Sequence, residues 1–358
     1  MALVDTDRVN VERVPGGPLA RVAQDVRRVT LRDRLLVPDA QRPWSRVAAR
    51  HASRRKPDVI VSFGQPMSDH LAALRAASRT RVPWIAHFSD PWTDNPFRSS
   101  GPIARRWNHR LERAVVERAD ALVFTSAETS SLVMAKYPPA WRERAAVVPH
   151  AFDEGVFPRV GARNTTARTV RYLGSFYGAR TPEPLLAALA RIARSHPELM
   201  TDLTIEVVGP TDRDIDVGAA AEALGLPPTL VTARPRVSYL ESLELMLTAD
   251  LLLVIDAPGD VSVFLPSKLV DYLGAGRPLL GITPPGAAAA LIRQAGGWVA
   301  DPSSPDEVER ALSSALQALR TGDAPKPPEW LRERYSVEAV AGEMADVIAH
   351  AVSARRAP

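Results

Sequence analysis

The chain has 358 residues, of which 46% are hydrophobic and 24% are charged, a composition typical of globular proteins and long enough for two domains. It contains no cysteine, which excludes a disulfide framework, thiolate chemistry and cysteine-based zinc sites. The sequence shows neither an apolar run long enough to cross a bilayer nor a signal-peptide pattern, so we expect a cytoplasmic protein.

Basic residues are concentrated in the first part of the chain. Residues 1–157 contain 25 Lys and Arg against 17 Asp and Glu, whereas residues 158–358 contain 20 against 24. This asymmetry favours an anionic partner for the first part, either nucleic acid or an anionic membrane surface, although solvated arginines would give the same count. Because no aromatics are interleaved on a basic face, nucleic acid ranks last and is not expected as a partner.

Strands and helices alternate along the first part of the chain. Val9, Val11 and Val14 could belong to a strand, and a strongly basic stretch follows as far as Lys56. This alternation predicts a parallel sheet with helices on both faces. The apolar runs predict strands at residues 58–63, 83–88, 121–125 and 145–149, and helices at residues 45–53, 68–77, 103–119 and 128–137.

The alternation restarts after residues 152–167, which are rich in Gly, Arg, Asn and Thr. The pattern therefore predicts an N-terminal domain at residues 1–157, a second domain at residues 158–330, and a helical segment at residues 331–358 that packs back toward the first domain. The second domain is predicted to have strands at residues 170–173, 203–208, 230–232, 251–255 and 278–282.

The stretch from Ala249 to Thr283 has the strongest functional signal. A buried strand is followed by a loop and by a helix that opens at Pro266, with Ser267 as its expected cap and Lys268 in its first turn. This unit binds phosphates in doubly wound sheets, and a compact ammonium beside a helix N-terminus suits a diphosphate. A solvated first-turn lysine is the alternative interpretation.

Residues 271–278, Asp-Tyr-Leu-Gly-Ala-Gly-Arg-Pro, resemble the donor-binding motif of retaining, family-4-type glycosyltransferases with the GT-B fold. In that family the leading carboxylate, here Asp271, contacts the nucleotide ribose. A second acid usually stands eight residues earlier, where this chain has Val263, and Asp256 and Asp260 have the wrong spacing. The resemblance implies an α/β protein with two Rossmann-like domains facing a cleft. The usual first strand and Gly-rich loop are not found at the start of the chain.

A second segment, from Tyr172 to Arg180, resembles the first loop of the glycosyltransferase C-terminal domain. Gly174 would let the backbone approach a ligand closely. The family binds the donor diphosphate here through Gly, Arg and Lys. In this chain Ser175 replaces the Arg, and Arg180 falls at the Lys position.

In the first domain, residues 84–95 resemble the strand-end segment that borders the cleft in many relatives. Two polar residues, His87 and Asp90, lie at the end of this apolar strand, and the resemblance implies that they are catalytic groups near the reacting hydroxyl. A hydrogen-bonded core histidine, with Asp90 capping a turn, is the alternative. No metal motif and no covalent nucleophile stand out, so no metal ion or cofactor is expected.

The resemblance implies a metal-independent hexosyltransferase that moves a sugar from a nucleoside-diphosphate sugar to an acceptor hydroxyl in polysaccharide or glycolipid synthesis. Arg180 and Lys268 would neutralise the diphosphate, Ser267 would add a donor, and Asp271 would accept from the ribose. The acceptor would be a sugar or a lipid-linked molecule, with the enzyme peripheral at the inner membrane face. A nucleotide-sugar epimerase and a degenerate nucleotide-binding scaffold remain alternatives.

Overall fold

The computed structural model describes residues 9–15, 37–96, 101–161, 167–210 and 215–356, and the chain forms two compact units. The first unit runs to Val148 and includes the chain again from Met344, and the second comprises Pro149–Glu343. Each unit is built on its own parallel sheet. Among the described residues, no helix combines the length and the apolar character needed to cross a membrane.

The first unit contains a four-stranded parallel sheet in which the strands follow their chain order, β1-β2-β3-β4. Its strands are β1 (Ile60–Gly64), β2 (Trp84–Phe88), β3 (Ala121–Phe124) and β4 (Ala145–Val147). Its helices are α1 (Arg42–Arg54), α2 (Ser68–Thr80), α3 (Pro102–Arg118), α4 (Ala127–Met134) and the four-residue α5 (Pro139–Arg142).

Strand β2 is buried along all five of its residues. It lies between β1 and β3, and an inner strand of a parallel sheet is covered by helices on both faces, which is why it forms a continuous apolar run. Around it, Trp84 and Phe88 pack with residues of α2 and α3, and the Phe88 ring stacks on Phe124 at 5.3 Å between centroids.

The start of the chain differs from the sequence-based expectation. Within the described residues 9–15 there is no strand, and Val9 and Val11 are about half exposed, at 51% and 52%. The alternating valines therefore do not pack as a strand against the sheet. The expected lack of a first strand and a Gly-rich loop concerns residues that lie mostly outside the described part of the chain.

The second unit contains a six-stranded parallel sheet with the strand order β10-β9-β8-β5-β6-β7. Its strands are β5 (Arg168–Leu173), β6 (Leu203–Val208), β7 (Val231–Arg234), β8 (Leu251–Ile255), β9 (Leu279–Ile282) and β10 (Trp298–Ala300). Its α-helices are α6 (Glu183–Ser195), α7 (Val217–Ala223), α8 (Tyr239–Leu247), α9 (Ser267–Ala275), α10 (Ala287–Gln294), α11 (Pro305–Thr321), α12 (Glu329–Arg334) and α13 (Val337–Arg356), the last of which ends in the first unit. Short 3-10 helices occupy Glu154–Val156 and Pro197–Leu199.

The order of strands in this sheet reverses at β5, which pairs with β6 on one side and with β8 on the other. Helices that follow β5 and β8 therefore leave on opposite faces, and their connecting loops separate at the carboxyl ends of the two strands. In open α/β sheets this switch point is where ligands bind.

Two tyrosines fix the elements around this switch point. Tyr172 of β5 packs into the core on one face of the sheet, and Tyr272 of α9 packs into the core on the other. Tyr272 has no exposed surface, and its hydroxyl accepts a hydrogen bond of 3.0 Å from the backbone N–H of Leu173. This bond ties α9 to the end of β5.

The boundary between the units differs from the one expected at residues 157 and 158. Phe152 is buried in the core of the second unit, and its backbone N–H donates to the carbonyl of Tyr335. The ring also closely approaches Gly274 of α9, where an added Cβ would lie 2.6 Å from it. Because this packing holds residues 149–157 to the second sheet, they belong to the second unit.

The point at which the C-terminal part of the chain joins the first unit also differs from the expected residue 331. Only Met344–Pro358 groups with the first unit, rather than the whole segment from residue 331, because Leu331 is buried in the core of the second unit. Within the first unit, Arg355 donates to both carboxylate oxygens of Asp120, at 2.8 and 2.6 Å. Both contacts come from one guanidinium nitrogen, Nη1, and this charge-assisted pair holds the end of α13 in place.

Candidate active site

The candidate site of the second unit lies at the carboxyl ends of β5 and β8. Gly174 follows β5 directly, and its N–H donates to the carbonyl of Val208 at 2.9 Å. A Cβ atom at Gly174 would lie 2.7 Å from the Nζ atom of Lys268. Only a glycine leaves room here for the ammonium group to approach the loop so closely.

Lys268 is the second residue of α9, and its side chain is half-buried with its Nζ atom covered. This Nζ has no hydrogen-bond partner among the described residues and lies 4.0 Å from the centroid of the Tyr172 ring. Burial lowers the pKa of Lys268 to about 7; the charge of Arg180 acts in the same direction, and that of Asp256 opposes it. An unpartnered ammonium at a helix N-terminus is available to an anion.

Arg180 is presented by a tight turn. The backbone groups of Tyr177 and Arg180 exchange two hydrogen bonds of 3.1 Å, and Gly178 has a positive φ of 57° between them. The guanidinium donates to Asp256 at 2.7 Å and lies 5.1 Å from the centroid of the Tyr177 ring. Its Nε atom is buried without a partner among the described residues, so part of the guanidinium remains available to a ligand.

Asp256 directly follows β8 and accepts the hydrogen bond from this arginine. It is buried, and its carboxylate also accepts from the N–H of Ala257 at 2.9 Å and the hydroxyl of Ser262 at 2.7 Å. The sequence-based reasoning set Asp256 aside because of its spacing, and it missed this role. A single acid directly after a buried strand is the signal that could have revealed it.

The two serines predicted in the site have different surroundings. Ser175 follows Gly174, and its carbonyl accepts from the hydroxyl of Tyr172 at 3.2 Å. Ser267 is exposed and is the first residue of α9, so the expectation that it caps the helix is wrong. The extended residue before the helix is Pro266, which has no side-chain acceptor for capping.

Asp271 lies one turn further along α9, and its carboxylate accepts from the hydroxyl of Tyr239 at 3.1 Å. Burial raises the pKa of Asp271 to about 6, and the hydrogen bond from Tyr239 opposes this shift. Tyr239 is the first residue of α8, and nothing in the local sequence indicated that it would meet Asp271. The structure thus brings Gly174, Arg180 and Lys268 together, with Asp271 one turn away on the helix that carries Lys268.

In the first unit, His87 and Asp90 lie at the carboxyl end of β2. His87 is buried, pairs in register with Phe63 of β1, and has its ring centroid 4.9 Å from that of the exposed Phe63 ring. Asp90 is partly exposed and accepts from the side-chain amide of Gln65 at 2.9 Å. Asp90 and Phe63 therefore present a carboxylate and an aromatic ring at the carboxyl edge of this sheet.

A buried carboxylate holds the loop that carries Asp90. Glu112 of α3 is fully buried and accepts from the N–H and the hydroxyl of Thr93, at 2.9 and 2.8 Å. Its other oxygen accepts from Lys136 at 2.6 Å and from the hydroxyl of Tyr137 at 2.7 Å. Lys136 also pairs with Asp94. Sequence reasoning missed this network, because its members are distant along the chain.

The first part of the chain matches one model of a known protein domain. Residues 4–151 match the model of the glycosyl transferase 4-like domain. No curated protein sequence matched the chain.

Several solved structures share the fold. HepE (Alr3699) of Anabaena, solved in complex with UDP, is 15% identical with a TM-score of 0.64, over 86% of this chain and 82% of HepE. The lipopolysaccharide outer core galactosyltransferase WaaB is 15% identical with a TM-score of 0.60, over 86% and 80%. Sucrose-phosphate synthase from Thermosynechococcus elongatus is 14% identical with a TM-score of 0.67, over 87% and 78%.

These likenesses agree with the architecture of two units, each with a parallel sheet between helices. The motif at residues 271–278 lies on α9 and the turn that follows it. The chain therefore has the GT-B fold, and its residues 4–151 match the glycosyl transferase 4-like domain.

Proposed function

We propose that this protein transfers a sugar from a nucleoside-diphosphate sugar to an acceptor hydroxyl. The observation that carries the proposal is the ammonium group of Lys268, which is covered and unpartnered among the described residues and lies against Gly174 at the sheet's switch point. A buried cation without a partner is costly to the fold, so a function that supplies an anion accounts for it.

The chemistry follows from the charges around this cation. When the bond between the anomeric carbon and the diphosphate oxygen breaks, its electron pair goes to the diphosphate. Lys268 and the free edge of the Arg180 guanidinium would stabilise the developing charge, and the N-terminal N–H groups of α9 would add to this. These cations supply the charge neutralisation that the leaving group requires, so we propose a metal-independent transfer. We further propose that the sugar keeps its configuration, which requires the acceptor oxygen to attack the anomeric carbon from the face that the diphosphate leaves.

The ribose would be bound by Asp271. Its carboxylate accepts from Tyr239 in the ligand-free protein, and this tyrosine is 42% exposed. A ribose hydroxyl could share or replace this bond without loss of a buried partner. HepE has been solved with UDP and with UDP-glucose, so UDP-hexoses are the first donors to test.

The acceptor would bind to the first unit, where Asp90 would receive the proton of the attacking hydroxyl and His87 would lie close by. We propose a sugar or a lipid-linked acceptor of polysaccharide or glycolipid synthesis, used by an enzyme that is peripheral at the inner membrane face. The basic character of the first part of the chain supports this proposal, since such acceptors are held at an anionic surface.

The test is a panel of UDP-, GDP- and ADP-sugars, each added to the wild-type protein and to Lys268→Met in thermal denaturation. A donor at a hundredfold excess over its Kd should stabilise the wild-type protein by about 2.7 kcal/mol, and Lys268→Met much less. Release of the nucleoside diphosphate with a mixture of acceptors then tests turnover. Stabilisation without any turnover would instead favour a nucleotide-binding scaffold, and equal shifts in both proteins would remove Lys268 from the site.

A further inference from the structure

Helix α3, Pro102–Arg118, has a buried face and an unusual outer face. The buried face includes Ala104, Glu112, Val115 and Val116, which hold the helix against the sheet of the first unit. The outer face exposes two large apolar side chains one turn apart: Ile103 is 78% exposed and Trp107 is 48% exposed. Apolar side chains of this size are normally exposed singly, not as neighbours on one face.

Arginines flank these two apolar residues. Three of them, Arg106, Arg110 and Arg113, are spaced by four and three residues and therefore lie along the same side of the helix. The guanidinium of Arg110 lies 5.5 Å from the centroid of the Trp107 ring. Arg105 and His109 line one groove on this helix together with these three arginines. None of the arginines at 105, 106, 110 and 113 forms an ion pair with a described residue.

The acidic groups of the helix do not neutralise this surface. Glu112 points inward and is engaged by Lys136 and Tyr137. Glu117 is exposed, but the helix carries one such carboxylate and five arginines, because Arg118 adds to the four already named. The outer face is therefore strongly cationic around an apolar centre.

We infer that the outer face of α3 binds directly to an anionic phospholipid bilayer. Ile103 and Trp107 would enter the boundary between headgroups and acyl chains, and the arginines would contact the phosphates beside them. A tryptophan ring suits that boundary because it is apolar with one polar edge, and arginine stems can extend along the apolar zone while their charge stays in the headgroups. The combination of charge with apolar side chains favours a bilayer over nucleic acid.

This inference rests on the proposed function in one respect: a membrane-held acceptor gives the protein a reason to bind a membrane. The test uses the full chain and vesicles of phosphatidylcholine, with or without phosphatidylglycerol, in co-sedimentation. Arg106→Gln/Arg110→Gln/Arg113→Gln should lower binding to the anionic vesicles by about a factor of 100, since each cation at such a surface contributes about a factor of five. Ile103→Ser/Trp107→Ser should lower it about tenfold or more.

The matched control removes the same charge from the second unit. Arg194, Arg293 and Arg320 are exposed, and their joint replacement by Gln should leave vesicle binding within about twofold of wild type, because they lie outside the proposed surface. Thermal denaturation verifies that every variant is folded. Equal losses in the two triple variants, or equal binding to neutral and anionic vesicles, would overturn the inference.

Insertion is tested with brominated lipids, which quench tryptophan fluorescence on contact. The tryptophan fluorescence of the wild-type protein should be quenched when it binds these vesicles. Trp107→Phe should bind them with the same affinity but lose most of the quenching. Six other tryptophans remain in that variant. Unchanged quenching in Trp107→Phe, or binding to a short DNA duplex as tight as to anionic vesicles, would count against a bilayer surface. The thermal shift with the full panel of UDP-, GDP- and ADP-sugars is measured on the same proteins. Its absence together with normal vesicle binding would reject the transferase proposal and leave the membrane surface standing.

Discussion

The Nζ atom of Lys268 lies 4.0 Å from the centroid of the Tyr172 ring and has no hydrogen-bond partner among the described residues. The face of an aromatic ring attracts a cation, but more weakly than a carboxylate or a phosphate does at the same depth. The ring thus holds the ammonium in position without neutralising it. Several properties of the site should follow from this arrangement.

Replacement of Lys268 by Met should separate stability from binding. The variant should be more stable by about 1–3 kcal/mol, because it removes a covered polar group that lacks a partner. It should bind UDP-glucose more weakly by about 1.5–3 kcal/mol, the range for hydrogen bonds to charged groups. Chemical denaturation and calorimetric titration measure the two effects, with the exposed Lys326→Met as the control. A less stable Lys268→Met would mean that the lysine serves the fold instead.

The affinity for UDP-glucose should depend on pH with a maximum between the two shifted pKa values. Asp271, with a pKa of about 6, must lose its proton to accept from the ribose, so affinity should rise as pH rises through 6. Lys268, with a pKa of about 7, must keep its proton to bind the diphosphate, so affinity should fall as pH rises above 7. Calorimetric titration between pH 5 and pH 9 measures this profile.

Two variants show which residue causes the rise and which causes the fall in affinity with pH. Lys268→Arg keeps its charge over this whole range, so it should flatten the fall on the alkaline side. Asp271→Asn accepts a hydrogen bond without titrating, so it should flatten the rise on the acid side. A profile that is unchanged in both variants would mean that other groups control the binding.

Arg180 and Asp256 should show strong coupling. Arg180→Ala leaves a buried carboxylate without its cation and should destabilise the second unit by about 3–5 kcal/mol. Adding Asp256→Asn should restore much of that stability, because the unpaired charge is then absent, but it should not restore donor affinity. Chemical denaturation of the two single variants and the double variant gives the coupling energy. Additive effects on stability would show that the pair is not a unit.

Gly209, at the end of β6, should be indispensable for the shape of the Gly174 loop. It has a φ of 139°, and a Cβ atom would lie 2.0 Å from the carbonyl oxygen of Gly174. Gly209→Ala should therefore cost about 2–4 kcal/mol and weaken donor binding. Gly218→Ala on α7 is the control: among the described residues its Cβ would have no neighbour closer than 3.5 Å, and alanine should stabilise the helix by about 0.5–1 kcal/mol. Similar losses in both would indicate general sensitivity of the unit.

Lys136→Met should loosen the loop that carries Asp90. It leaves the fully buried Glu112 without its cation and should destabilise the first unit by about 3–5 kcal/mol. If the loop positions the acceptor, kcat should fall while the KM for the donor stays unchanged, because the proposed donor site belongs to the other unit. The exposed Lys56→Met serves as the control. Unchanged stability would show that Glu112 does not depend on Lys136.

The sequence by itself determined the α/β architecture and most of the element positions. Buried parallel strands are continuous apolar runs, and β2 and β8 could therefore be recognised locally. The family motif at residues 271–278 and the first-turn position of Lys268 are likewise local features, because they depend on spacing along one helix. The three-residue strand β10 and the four-residue helix α5 were not predicted, since so few residues give no period to detect.

Only the tertiary structure decided which charges are neutralised and which remain available. The sequence predicts that Arg180 neutralises the diphosphate, but not that Asp256, 76 residues further along the chain, accepts a hydrogen bond from it. Tyr239 meets Asp271, and Glu112 meets Lys136, because folding packs together segments that are far apart in the chain, which residue spacing alone does not predict. Local sequence sets the type and position of each group. The pKa of each group and its freedom to bind a ligand depend on burial and on distant partners, which exist only once the chain is folded.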